Sequence, residues 1–98
     1  MTPELEAVYR QLIEGAVDEY ERLVPERGEF EPLEEESRFH VYKAIDELAI
    51  ASYHARRGSE FDRELMIENL HDSINHMAMA VLCFENDRDG CHPAMAEE

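Results

Sequence analysis

Two long helical patterns meet at the stretch Arg56-Arg57-Gly58-Ser59-Glu60-Phe61-Asp62. Arginine side chains suit the last turn of a helix, where the helix dipole is negative. The glycine after them supplies the left-handed conformation that commonly ends a helix. A serine followed three residues later by an aspartate is typical of a helix start, because the serine hydroxyl accepts a hydrogen bond from a free backbone N–H. The stretch therefore predicts a turn that joins two helices into a hairpin.

Apolar residues recur at three- and four-residue steps on both sides of this turn and again near the N-terminus. That spacing indicates amphipathic helices, and no stretch alternates as a half-buried strand does. Thr2 and Pro3 fit the start of a first helix, and Pro25 is expected to end it. We therefore predict an all-α fold whose three helices span about residues 3–24, 33–57 and 60–85.

The length of 98 residues allows one domain with one modest core. We expect residues 1–90 to form it, with a turn at 86–90 and a flexible tail at 91–98. Two cysteines do not make a disulfide framework, so we expect free thiols and a cytoplasmic location. The chain contains no apolar run long enough to span a membrane, and its first residues lack the basic and apolar regions of a signal peptide.

The net charge of the chain restricts the classes of molecule that it is expected to bind. The chain carries 24 acidic and nine basic residues, for a formal charge of −15, which argues against a protein that binds the phosphate backbone of nucleic acids. Only Lys43 is a lysine. Acidic residues spread along a chain that almost lacks lysine are typical of halophilic proteins, because carboxylates hold water and molar salt shortens the Debye length to about 3 Å. The alternatives are an acidic mimic of nucleic acid and an acidic patch for a basic partner.

The second predicted helix is apolar on two faces. One face carries Val41, Ile45 and Leu48; the other carries Phe39, Tyr42, Ile50 and Tyr53. The third predicted helix is apolar all round at residues 77–84. Three helices of one chain cannot cover so much apolar surface, so we expect a homodimer whose helices form a four- to six-helix bundle. The alternative is a monomer with residues 77–84 in its core.

Polar side chains form one stripe on each helix of the predicted hairpin. The stripe on the second helix consists of Glu36, His40, Lys43, Glu47 and His54. The stripe on the third helix consists of Glu64, Glu68, His71 and Asn75. His76 lies opposite the apolar side of the third helix, so we expect it either exposed or at the dimer interface.

These two stripes predict a metal site. If the hairpin turns at Ser59, Glu47 and His71 lie equally far from the turn and meet, with Glu68 one turn nearer. Two carboxylates and an imidazole suit iron, manganese or zinc. We therefore predict Glu47, Glu68 and His71 as metal ligands, with His40 and Glu36 as outer candidates. The alternative is a solvated edge whose charges form ordinary ion pairs.

The segment Glu68-Asn69-Leu70-His71 resembles the Glu-x-x-His motif of ferritin-like proteins. Residues 45–57 are also similar to the first helix of encapsulated ferritin hairpins. The resemblance covers about 30 residues. It implies two-helix units whose metal site is completed only across a dimer, with Glu47, Glu68 and His71 as ligands.

Residues 68–76, followed by an apolar run, also resemble the third-helix region of MazG-type nucleotide pyrophosphohydrolases. That resemblance implies an all-α dimer in which Glu47, Glu68 and Asp72 hold Mg²⁺ against a nucleotide triphosphate. A third possibility is a non-enzymatic interaction or scaffold module that uses the apolar surface of residues 77–84. The sequence leaves open whether the chain is an enzyme.

Overall fold

The computed structural model describes residues 1–32 and 36–89, which contain three helices. These helices are α1 (Pro3–Arg27), α2 (Glu36–Arg57) and α3 (Glu60–Asp89). No strand occurs within the two described stretches. The prediction of an all-α chain of three helices is confirmed.

The first helix, α1, runs three residues further than predicted. Thr2 Oγ1 accepts a hydrogen bond from the Leu5 N–H at 3.1 Å, as expected of a residue that caps a helix start. Pro25 lies inside the last turn. It does not end the helix, because proline removes only one backbone hydrogen bond there and its fixed φ is helical. The helix ends at Gly28, which has a φ of 82° and donates its N–H to the Val24 carbonyl at 2.7 Å.

The turn between α2 and α3 has the predicted chemistry. Gly58 adopts a φ of 73° and donates its N–H to the His54 carbonyl at 3.1 Å. Ser59 Oγ accepts a hydrogen bond from the Asp62 N–H at 3.0 Å. Because both contacts are local, neighbouring residues were sufficient to predict the turn.

The outer ends of the hairpin differ from the prediction. The predicted start of the second helix at residue 33 lies outside the described residues, and the described helix begins at Glu36. The turn predicted at 86–90 is wrong for residues 86–89, because α3 continues to Asp89. No glycine or proline interrupts the chain between Gly58 and residue 90, so nothing local stops this helix. The tail predicted at 91–98 lies outside the described residues.

The central helix of the structure is α3, with α2 packed along it and α1 crossing it. At the crossing, Asn75 Nδ2 donates to the Ala16 carbonyl at 3.0 Å. A Cβ atom at Gly15 would lie 2.4 Å from His71 Nε2, so glycine permits this close approach. Residues 1–11 are all exposed, which confines the contact to the C-terminal half of α1.

Buried apolar side chains in the described residues are small. They are Ala16, Ala44, Ala51, Ala80 and Cys83. By contrast, 18 large apolar side chains are exposed in the part of the chain that the structure describes, far more than isolated surface positions account for. None of the described helices is both long and apolar enough to cross a membrane.

Candidate functional site

The contact between α2 and α3 is polar along most of its length. We call it the polar seam. Its pairs are Ser37 with Ala80, His40 with His76, Ala44 with Ser73, Glu47 with Asn69, and His54 with Asp62. The two members of each pair lie equally far from Gly58, to within one residue. The hairpin therefore turns about Gly58, one position before the predicted centre at Ser59.

That one-residue difference changes the partner of Glu47. With the turn centred at Gly58, Glu47 faces Asn69, and Asn69 Nδ2 donates to Glu47 Oε2 at 2.7 Å. His71 lies two positions further along α3. A helix turns about 100° per residue, so His71 points roughly 200° away from the seam. Its Nδ1 lies 3.3 Å from Glu19 Oε2 of α1.

The structure therefore does not bring the three predicted metal ligands together. Glu47 is bonded to Asn69, His71 faces α1, and Glu68 is exposed. Within residues 1–32 and 36–89, no three or more His, Cys, Asp and Glu side chains form a group that could hold a metal ion. Metal binding by Glu47, Glu68 and His71 stays a prediction that would need these side chains to rearrange.

His40, one of the two outer candidates for the predicted metal site, contacts His76 across the polar seam. Its Nδ1 lies 2.9 Å from Nδ1 of His76, and the two rings stack with an interplanar angle of 26°. The edges of Phe30 and Phe39 enclose the His40 ring, with centroids 5.2 Å away. His76 is thus half-buried against the hairpin of its own chain rather than exposed, and its position at a dimer interface stays a prediction.

The other nitrogen of His40 decides how this pair is protonated. His40 Nε2 is buried without a hydrogen-bond partner among the described residues, and the nearest acid, Glu36 Oε2, lies 3.6 Å away. A lone pair on Nε2 would face this carboxylate unfavourably. We therefore assign the proton to His40 Nε2, and in this assignment His40 Nδ1 accepts a hydrogen bond from the His76 Nδ1–H. This tautomer leaves His76 Nε2 with a free lone pair.

Burial lowers the pKa of both imidazoles below the ordinary histidine value. The negative charge of Glu36 raises the pKa of His40, because it favours the protonated ring, but this effect is smaller than that of burial. A positive charge on His40 further lowers the pKa of His76, because two neighbouring rings that both carry an extra proton repel each other. The pair is therefore neutral at pH 7.

Both histidines line a cavity of about 360 Å³ between α1, the loop that follows it, and α3. We call it the histidine cavity. Its apolar lining includes Tyr20, Leu23, Val24, Phe30 and Met79, and its polar lining includes Arg27, His40, Asp72, Asn75 and His76. The Tyr20 hydroxyl accepts a hydrogen bond from the Phe30 N–H at 2.7 Å, which holds the loop against α1. Apolar walls with a few convergent polar groups are the usual form of a ligand site.

Asp72 is the acid that α3 contributes to this cavity, whereas Glu29 and Glu31 line it from the loop after α1. The pKa of Asp72 is raised to about 6, first by burial and then by the negative charges of Glu19 and Glu47; Arg27 lowers it, and Glu68 raises it by a smaller amount. No hydrogen bond or ion pair to this carboxylate occurs among the described residues. Asp72 therefore lies in an uncompensated negative potential.

Sequence reasoning missed the histidine cavity because it assigned no candidate site to the first helix. The sequence contained a signal for only one part of this cavity, the histidine pair. His40 and His76 lie equally far from Gly58, so a hairpin centred at Gly58 brings them together. Nothing in the sequence placed Tyr20, Arg27 and Phe30 beside them, because the direction in which α1 crosses α3 depends on the close approach at Gly15.

A second surface feature lies on the opposite side of the hairpin. On each helix, the residue directly after a seam residue points about 100° away from the seam. Because α2 and α3 are antiparallel and both right-handed, these next residues point to the same side of the hairpin. We call their central part the outer face. It consists of Val41, Ile45 and Leu48 of α2 and Leu70, Ile74, Met77 and Val81 of α3. Five of these side chains are 44% to 57% exposed, and none of the seven residues is charged.

No family model matches this chain, and neither a curated protein nor a solved structure matches it.

Proposed function

We propose that this chain is a non-enzymatic interaction module that forms a homodimer through the outer face. The observation that carries the proposal is the arrangement of the hairpin, which places its polar stripe between α2 and α3 and its apolar residues outside. A protein that worked as a monomer would have these faces reversed, because covering apolar surface is the main favourable contribution to folding. The outer face therefore needs a partner.

A second copy fits this surface better than another partner does. The seam pairs are spaced evenly about Gly58, so α2 and α3 are related by an approximate twofold rotation, which allows the outer face of one copy to pack against the same face of a second copy. Two outer faces that meet form a four-helix bundle, with α1 of each copy outside it. None of the seven residues of the outer face is acidic, so contact between two outer faces does not itself bury a carboxylate of these residues.

The magnitude of the apolar contribution is adequate. Covering the exposed half of a Val, Ile, Leu or Met side chain contributes about 1 kcal/mol. Ten such side chains across two copies contribute about 10 kcal/mol, which exceeds the association cost over the lower half of its range of about 4–15 kcal/mol. The charge of −15 per copy opposes association over a longer range, and molar salt screens it. The proposal therefore includes a halophilic, reducing cytoplasm as the working environment.

Sedimentation equilibrium in molar KCl at micromolar concentration tests the dimer. Ile45→Glu places a charge on the outer face, and we expect it to weaken the dimer at least 100-fold. Ile50→Glu is the matched control, because Ile50 precedes the buried Ala51 and so lies on the other side of α2, where it is 45% exposed. A monomeric wild-type chain, or an Ile50→Glu variant that dissociates while Ile45→Glu does not, would overturn the proposal.

Two cation-dependent alternatives stay predictions. One is a metal site at Glu47, Glu68 and His71, and the other is Mg²⁺-dependent nucleotide hydrolysis by Glu47, Glu68 and Asp72. The charges of Glu47 and Glu68 reach Asp72, which is the observation that keeps the second alternative open. Glu68→Ala separates both from the interaction module: it removes bound metal or hydrolysis if either is correct, and leaves the dimer intact.

A further inference from the structure

The polar end of the histidine cavity contains two possible ligands on one helix. Asp72 and His76 both line the cavity and lie four residues apart on α3. Residues at this spacing are neighbours on a helix surface, so a carboxylate and an imidazole can reach the same ion. His76 belongs to neither set of metal ligands predicted from the sequence, and Asp72 belongs only to the Mg²⁺ set.

His76 is held in the tautomer that a metal ligand requires. Its Nδ1–H is directed to His40 Nδ1, 2.9 Å away, which leaves the Nε2 lone pair free. Glu36 orients His40 in turn. The Oε2 atom of Glu36 lies 3.6 Å from the buried Nε2 atom of His40. Metal-bound histidines commonly donate their other ring N–H to such a partner, which orients the ring and raises its basicity.

The negative charges around Asp72 outweigh the positive charge that Arg27 supplies to the cavity. Asp72 is half-buried, and Glu19, Glu47 and Glu68 add negative potential that Arg27 only partly offsets. A bound cation would remove this repulsion. An imidazole ligand next to a carboxylate selects ions that accept both nitrogen and oxygen, such as Zn²⁺, Co²⁺, Ni²⁺ or Mn²⁺, over Mg²⁺ and Ca²⁺.

We propose that His76 Nε2 and the Asp72 carboxylate bind one divalent transition-metal ion in the histidine cavity, with His40 as the residue that orients His76. Two protein ligands leave the other coordination positions to water, for which a cavity of about 360 Å³ has room. The site is separate from the outer face, because Asp72 precedes Ser73 and Met79 precedes Ala80, which puts the cavity on the other side of the hairpin.

Titration calorimetry with Zn²⁺ and with Co²⁺ tests the site on the full chain after treatment with a chelator. We expect one ion per chain, at least a tenfold loss of affinity in His76→Ala and in Asp72→Asn, and a 10- to 100-fold loss in His40→Ala. His71→Ala is the matched control, since His71 is on the same helix but faces Glu19. It should bind as the wild type does.

A measurement on the wild-type chain avoids any dependence on folding of the variants. Paramagnetic Co²⁺ should shift or broaden the ring-proton NMR signals of His76 and His40 before those of His71. The proposal is overturned if His76→Ala binds as tightly as wild type, or if His71 is the ring that Co²⁺ affects first. Ile45→Glu should still bind the ion, so failure of the dimer and failure of the metal site give different results.

Discussion

His40 Nδ1 and His76 Nδ1 lie 2.9 Å apart across the seam between α2 and α3, so one proton is shared by two imidazoles. Two N–H groups cannot point at each other at this distance. The contact is therefore available only while at least one of the two Nδ1 atoms is unprotonated. This relationship ties the hairpin to pH and to any ion that binds His76.

We expect the titration of His40 and His76 to lower the free energy of unfolding as the pH drops from about 7 to about 5, against an opposite contribution from Asp72, whose pKa is raised. The unfolded histidines take up protons near a pKa of about 6.5, whereas burial lowers the pKa of His40 and His76 in the folded chain. Between these values the unfolded state binds more protons, so acidification favours it. Urea titrations at several pH values measure the slope. A double variant His40→Gln, His76→Gln should have a flatter slope, and an equal slope contradicts the prediction.

Asp72→Asn should stabilise the metal-free chain at pH 7. The pKa of Asp72 is raised to about 6, so its charged form is disfavoured in the folded state above that pH. We expect a gain of about 1 kcal/mol, because partial exposure to solvent reduces the full effect of the shift. The gain should disappear below about pH 4, where aspartate is protonated in both states. Thermal unfolding with a chelator present measures this, and a gain that persists at low pH counts against the cause given.

Gly15→Ala should destabilise the chain even though alanine favours helices by about 1 kcal/mol. The new Cβ would lie 2.4 Å from His71 Nε2 and 2.6 Å from its Cε1, so the ring must move away and lose its contact with Glu19. In a His71→Ala background the same substitution should stabilise instead. A double-mutant cycle from urea titrations measures this coupling. Additive effects of the two substitutions would show that the crossing of α1 and α3 is looser than described.

The dimer should weaken as KCl is lowered from molar to about 0.1 M. Each copy carries a charge of −15, and the Debye length grows from about 3 Å to about 10 Å over this range. Sedimentation equilibrium at several salt concentrations measures the dissociation constant. The Ile45→Glu variant, examined by circular dichroism in the same buffers, reports how salt affects folding of the monomer alone. An unchanged dissociation constant in conditions where both chains stay folded contradicts the prediction.

Sequence reasoning was most accurate where the causes are local. The caps at Thr2 and Ser59 and the glycine at 58 act within one helical turn, so the starts of two helices and the hairpin turn could be predicted. It was least accurate where no local signal stops a helix. Pro25 did not end α1, and α3 passed through residues 86–89, because helical hydrogen bonds persist until the backbone or a partner interrupts them.

The candidate sites depended on the register between α2 and α3. A shift of one residue in the centre of the hairpin moved Glu47 from His71 to Asn69, because two positions on a helix correspond to about 200° of rotation. The same shift aligned His40 with His76. Sequence periodicity defines the faces of a single helix, but it does not measure the register between two helices.

By itself, the sequence determined that this chain is helical and acidic and that it folds back at a turn containing Gly58 and Ser59, since propensity, caps and charge act on each segment separately. Only the tertiary structure decided which faces meet. It placed the polar stripe of α2 against α3 and the outer face toward solvent, and it brought Tyr20, Arg27 and Phe30 beside the two histidines. The physical reason is that such contacts depend on register and crossing angle, which small residues such as Gly15, Ala44 and Ser73 set by allowing close approach between helices.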